Sequence, residues 1–147
     1  MNTAAQRAMQ AYSSVGLQTG IVAASPHRLI AMLFDGARIA IANAKGHMAR
    51  REIPEKGEAV SKAIAIIDHG LNASLDVNVG GELALNLRAL YDYMSRRLVE
   101  ANMRDDAAIL DEVSRLLGDL HGAWNQIGSD ANAAAESMSA PARSPRP

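Results

Sequence analysis

The feature that most constrains this chain is a series of apolar stripes at three- and four-residue spacing, cut by a few sharp breaks. Ser25-Pro26 opens the first, a preferred cap followed by a proline suited to a first helical turn. Leu29, Leu33, Ala37, Ala40, Ala44 and Met48 then share one helical face, widened by Ile30, Phe34 and Ile41. The helix is predicted to fade at Arg50-Arg51. Pro54 opens a second, with Val60, Ile64, Ile67, Leu71 and Leu75 as its stripe. The turn-rich run from Asp76 through Gly80 and Gly81 ends it. A third begins near Glu82, and Leu83, Leu87, Leu90, Met94, Leu98 and Ala101 give the cleanest heptad-like spacing in the chain. After Asn102 and a turn at Arg104-Asp105-Asp106, a fourth carries Ile109, Val113, Leu116, Leu120, Trp124 or Ala123, and Ile127, and Gly128 is expected to stop it.

Four amphipathic helices joined by short turns pack most simply as an all-α, antiparallel up-down-up-down four-helix bundle. Composition agrees: 3% aromatic residues leave little material for a β-sandwich. No repeat of fixed period points to a solenoid. The expected domains are an N-terminal arm over residues 1–23, a helical bundle over 24–128, and a disordered tail over 129–147. The arm is read as a short helical piece, conditionally ordered and docked through Met9 and Tyr12, since Gly16 and Gly20 interrupt anything longer. The tail is Ala, Ser, Pro, Arg and Asn without apolar period, too little to offset its ordering entropy.

Several function classes fall away. The absence of cysteine excludes disulfides, thiolate metal sites and cysteine nucleophiles. Fifteen basic against 16 acidic residues give a net charge of -1, without the cationic excess of a general nucleic-acid binder. No secretory leader is evident near Met1, and no run approaches the ~20 apolar residues of a membrane span. A soluble intracellular, cytoplasmic protein without membrane insertion is the expectation.

The chemistry-bearing motifs are sparse. A bundle di-iron site needs Glu three residues before His, yet Ala24, Ala44, Ile66 and Gly118 precede His27, His47, His69 and His121 at that spacing. Asp76 and Asn78 begin like a calcium loop, but Gly80 and Leu87 stand where further oxygen ligands belong. The Gly80-Gly81 pair lacks the Lys-Ser/Thr ending of a phosphate loop. No metal, no cofactor and no catalysis are expected.

A surplus of apolar surface remains. The first helix is apolar nearly all round, the second groups Ile64, Ile66 and Ile67, and the third adds Leu85 and Tyr93 outside its stripe. Either the first helix is simply central, or two stripes form a groove for a partner helix.

Specific words then emerge in order: Ala24-Ser25-Pro26 with Leu33-Phe34-Asp35-Gly36-Ala37; Ser74-Leu75-Asp76 with Gly80-Gly81-Glu82; Asn86-Leu87 with Leu90-Tyr91-Asp92-Tyr93-Met94; Arg97-Leu98; Ala101-Asn102; Glu112-Val113; and Ala123-Trp124. From Tyr12 to Trp124 the chain resembles the flagellar secretion chaperone family FliS, the flagellin export chaperones. Phe34 departs from the family's usual Tyr by one hydroxyl.

The resemblance implies a small antiparallel helical bundle that binds the disordered C-terminal segment of flagellin. It also implies that the bundle stops premature polymerisation and brings its client to the flagellar type III export gate. Such a client exposes an apolar helical face while free, and folds as it binds. On this reading Met9, Tyr12, Ile30, Phe34, Ile41, Ile64, Ile66, Leu85 and Tyr93 form the flagellin groove and its covering arm. Ser25, Pro26, Asp76, Gly80, Gly81, Leu87, Tyr91, Ala101, Asn102 and Trp124 form a structural motif. A monomer is favoured. The rival reading is a self-associating helical adaptor with no flagellin client.

Overall fold

The computed structural model describes residues 6–7, 10–11 and 25–138. Within them the chain is helical and contains no strand. Helix α1 is Pro26–Ala49, α2 is Ile53–Ala65 continued by a π-helix at Ile66–Asn72, α3 is Val77–Arg104, and α4 is Ala107–Met138.

The starts follow local chemistry. The Ser25 hydroxyl accepts from the Arg28 amide at 3.1 Å, closing the first turn of α1. Asp76 caps α3 by accepting from the Asn78 and Val79 amides. Asp106 begins α4 by accepting from the Ala108 amide at 3.0 Å. Between α1 and α2 the chain turns through Arg51 at φ 60, and the Glu52 carboxylate meets His47 Nδ1 at 2.6 Å and Arg50 Nε at 3.0 Å. Those two contacts hold the Glu52 carboxyl below its ordinary pKa, with the His47 bond the larger cause.

Two boundaries differ from the sequence expectation. The Asp76–Gly81 run does not exclude helix: Val77 to Gly80 already form its first turn, and the break is confined to Gly81, at φ 57 and ψ -131. Gly80 permits a close approach, since a Cβ there would come within 2.9 Å of the Ala84 Cβ. Nor does Gly128 stop α4, which runs on to Met138 through an alanine-rich stretch expected to be disordered. Alanine has the highest helix propensity of all residues, and a backbone already helical extends through it at little cost. Residues 139–147 lie outside the described residues.

Contacts between helices run in opposite orders along two of the pairs. Between α1 and α4, Lys45 meets Asp111 at one end, Phe34 stacks on His121 further along, and His27 stacks on Trp124 at the other end. Between α2 and α3, Lys56 meets Asp105, Asp68 meets Ser95, and Asn72 meets Asp92. Helices α3 and α4 are joined by only Asp105 and Asp106, and Tyr93 and Arg97 before that turn both reach Glu112 after it, so the chain folds back on itself. Each of these pairs is antiparallel, and α1 packs closely on α2 as well.

Leu29, Leu33, Ile66, Ile67, Leu71, Met94, Leu98, Leu110, Val113 and Leu117 are fully buried among the four helices. The arm joins this body: Ala11 is buried in the core, and Arg7 donates to the Leu75 carbonyl at 3.3 Å and lies 3.5 Å from the Asp76 carboxylate. Lys56 is a buried cation whose ammonium donates to the Asn102 carbonyl and the Asp105 carboxylate, tying α2 to the α3–α4 corner.

Candidate partner-binding surface

The stripe of α3 changes character along its length. Ala101, Leu98 and Met94 are fully buried, Leu90 and Leu87 are half-buried, and Leu83 is 67% exposed. All of them lie on the core-facing side of the helix by their three- and four-residue spacing. Helix α4 shows the same gradient in the reverse order. Ile109, Leu110, Val113 and Leu117 are buried, Leu120 and Trp124 are half-buried, and Ile127 is 56% exposed. Because the two helices are antiparallel, the uncovered ends of both stripes fall at the same end of the bundle. Among the described residues, two core faces thus continue there without a core to cover them.

The other end of this seam is clamped. The Tyr93 hydroxyl donates to Glu112 at 2.5 Å, Arg97 donates to Glu112 at 3.0 Å and to Glu100 at 2.8 Å, and Arg104 pairs with Glu100. Tyr93's bond lowers the pKa of Glu112, while the charged acceptor raises that of the Tyr93 phenol. The Arg97 guanidinium is raised in turn by its bond to Glu112. A hairpin locked near its turn and uncovered toward its far end offers an apolar strip flanked by two helices.

The residues expected to line a groove do not come together as a set. Phe34, Ile41 and Ile66 are in the core, with 3%, 2% and 0% of their surface exposed, so they do not form an outer surface. Ile66 opens the π-helix, in which Ile67, Gly70 and Leu71 are buried with it, and it follows the buried Ala63 by three residues. Phe34 is held by the His121 ring, with centroids 5.5 Å apart. The wide apolar face of α1 therefore serves burial between α2 and α4, and only Ile39 of its large aliphatics stands well out. Ile30 and Ile64 are half-buried against the core. Leu85 is exposed but points away from the core, opposite to Leu83. Tyr93 is partly exposed with its hydroxyl engaged by Glu112. Met9 and Tyr12 lie outside the described residues.

The structural motif is placed more simply. Ser25 and Asp76 are caps, Pro26 begins α1, and Gly80 and Gly81 shape the start of α3. Leu87 is half-buried on the α3 stripe. Tyr91 is buried, which pushes its phenol well above the ordinary range. The Ala101 carbonyl accepts from the Asp106 amide, and the Asn102 carbonyl from Lys56. Trp124 closes the α1–α4 seam against His27.

Sequence reading missed Leu83 and Ile127 as surface residues because each continues a core stripe. The available signal was comparative length. Helix α1 begins only at Pro26, whose neighbour His27 already meets α4 at Trp124, so α1 has no residues left to cover α4 beyond that point.

The family model described as flagellar protein FliS matches residues 8–131. The chain belongs to the FliS family. It is 49% identical to the flagellar secretion chaperone FliS of Salmonella typhimurium over 124 residues, covering 84% of this chain and 92% of that relative. It is 48% identical to the flagellar secretion chaperone FliSB of Pseudomonas aeruginosa, covering 84% and 97% of the two chains. The FliS of Bacillus subtilis is 37% identical over 109 residues, covering 74% and 80%. These FliS relatives carry the name of chaperones, which are not enzymes. Among the described residues, no helix is long and apolar enough to cross a membrane, and no group of His, Asp or Glu is placed to hold a metal ion.

Proposed function

We propose that this FliS-family protein binds the disordered C-terminal segment of flagellin as a helix along the uncovered α3–α4 seam. The client is thereby kept from polymerising in the bacterial cytosol and is carried to the flagellar type III export gate. The observation behind this reading is the paired gradient ending at Leu83 and Ile127. An exposed continuation of two core stripes suits an incoming amphipathic helix better than it suits water. Burying each of these side chains would contribute roughly 1.5–3 kcal/mol, which offsets part of the cost of ordering a disordered client. Names among the relatives support the export role, and the docking of Arg7 and Ala11 near the same end of the bundle supports a part for the arm, with Tyr12 and Met9, in covering or reshaping the seam.

Calorimetry with cognate flagellin, full-length and lacking its last ~40 residues (about 60 Å of helix), tests the client assignment. Binding by the full-length client alone is the expected result, and equal binding by both would sink it. Leu83→Ser with Ile127→Ser tests the site: affinity is expected to drop at least about tenfold with the fold unchanged. Deleting residues 1–20 tests the arm, and unchanged affinity and export would remove it from the mechanism.

A further inference from the structure

The face of α3 turned away from the core carries a second pattern. Leu85, Ala89, Asp92, Arg96, Val99 and Met103 alternate at spacings of four and three, the repeat of a coiled-coil seam. At about 100° per residue they occupy an arc of roughly 80°, opposite to the fully buried Met94. Leu85, Val99 and Met103 are 51%, 47% and 75% exposed, Ala89 and Arg96 are exposed, and Asp92 is half-buried. Arg96 has no carboxylate partner among the described residues. Three large aliphatics in register with an unpaired guanidinium are an unusual way to face solvent along one helix.

The pattern is its own complement when reversed. About residue 94, Leu85 mirrors Met103, Ala89 mirrors Val99, and Asp92 mirrors Arg96. Two copies of α3 laid antiparallel across a two-fold axis would therefore set apolar against apolar in the outer layers. On either side of the axis, Asp92 would meet Arg96 of the partner subunit. A parallel pairing would instead oppose Asp92 to Asp92 and Arg96 to Arg96, a repulsive arrangement.

We propose that this face of α3 is a homodimer interface in which two copies of the chain pair antiparallel with Asp92 opposite Arg96. The contact is isologous, as two-fold dimers require, and a chain of net charge -1 sets no global repulsion against it. A single helix face is small for an interface, so the dimer is a reversible, concentration-dependent one. It lies on the far side of α3 from Leu83, and its fate is independent of the flagellin reading.

Sedimentation of the full chain without client tests it. The mean mass is expected to rise from 15.6 kDa toward twice that value with concentration. Arg96→Glu and Asp92→Arg, each alone, place like charges across the axis and are expected to weaken association at least about tenfold. Mixing the two variants restores both pairs and is expected to restore the dimer. A wild type that stays monomeric at millimolar concentration, or a mixture no more associated than its components, overturns the proposal.

Asp92 also accepts from Asn72, so a second test leaves both charges in place. The chain has no cysteine, and positions 89 and 99 are about 15 Å apart along one helix, too far to bridge internally. Ala89→Cys/Val99→Cys is expected to oxidise to a covalent dimer, and either single variant is not. Failure of the double variant to cross-link, or equal cross-linking by Ala89→Cys alone, overturns the antiparallel register.

Discussion

The imidazole of His27 lies flat on the indole of Trp124, with ring centroids 4.9 Å apart and planes 4° apart. Each ring also donates to the other residue's backbone: Trp124 Nε1 to the His27 carbonyl at 2.9 Å, and His27 Nε2 to the Trp124 carbonyl at 2.7 Å. The second bond reaches a carbonyl inside a helix, and Gly128, one turn on, leaves room for the ring. A Cβ at Gly128 would collide with His27. Gly128→Ala gains about 1 kcal/mol of helix propensity but overpacks the stack by roughly 1–3 kcal/mol. A net loss of about 1 kcal/mol is expected in denaturant titration, with a red shift in the emission of Trp124, the sole tryptophan.

One stripe of α3 contains both covered and uncovered leucines, which separates burial from identity. Leu98→Ala, at full burial, is expected to cost about 2–5 kcal/mol. Leu83→Ala is expected to stay within about 0.5 kcal/mol of wild type in the free protein. Equal losses in chemical denaturation would mean that Leu83 is covered in solution.

Lys56 and Asp105 are expected to respond unequally to removal. Lys56→Met replaces a buried cation by an apolar chain of similar length, a change that is often near neutral. Asp105→Ala leaves the cation buried without its carboxylate. Discounted for the half-exposed position of Asp105, that loss is expected to be about 2 kcal/mol. Paired melts of the two variants check the order, and a larger loss for Lys56→Met would reverse this account.

The Tyr93–Glu112 bond predicts pH dependence at both extremes. The Tyr93 pKa is raised from its ordinary 10.0 by donation to Glu112, so its contribution is complete below that value and is lost as pH rises through the higher folded value. Glu112 is lowered from 4.5, chiefly by the same bond. Its contribution is complete above 4.5 and is lost as pH falls through the lower folded value. Tyr93→Phe is expected to flatten the alkaline limb of a Tm–pH profile relative to wild type. An unchanged alkaline limb would remove the bond from the stability of the hairpin.

Much of the architecture was legible because caps and stripes are local. Ser25-Pro26 marks a helix start where the structure has one, and the Leu87-to-Ala101 spacing identifies the buried face of α3, whereas Asp76 reads as part of a turn and instead caps that helix. The misreadings arise where one residue type serves two ends. Gly128 reads as a helix stop because glycine weakens helices, yet here it admits the His27 ring. Ile66 reads as surplus because it lies beside the Val60–Ile67 stripe, whereas the structure buries it together with Ala63, Ile67 and Leu71. Leu83 reads as core because a stripe carries no information on what covers it; only the lengths of neighbouring helices do.

The widened turns at Ile66–Asn72 have a consequence for kinship as well as for packing. A π segment stores surplus chain without lengthening the rod that contains it. Its removal by a one-residue deletion would let Val60 and Leu75 keep their ends of the molecule while the intervening side chains rotate. Gaps between this sequence and its cousins should therefore be tolerated here more readily than anywhere else within the four rods.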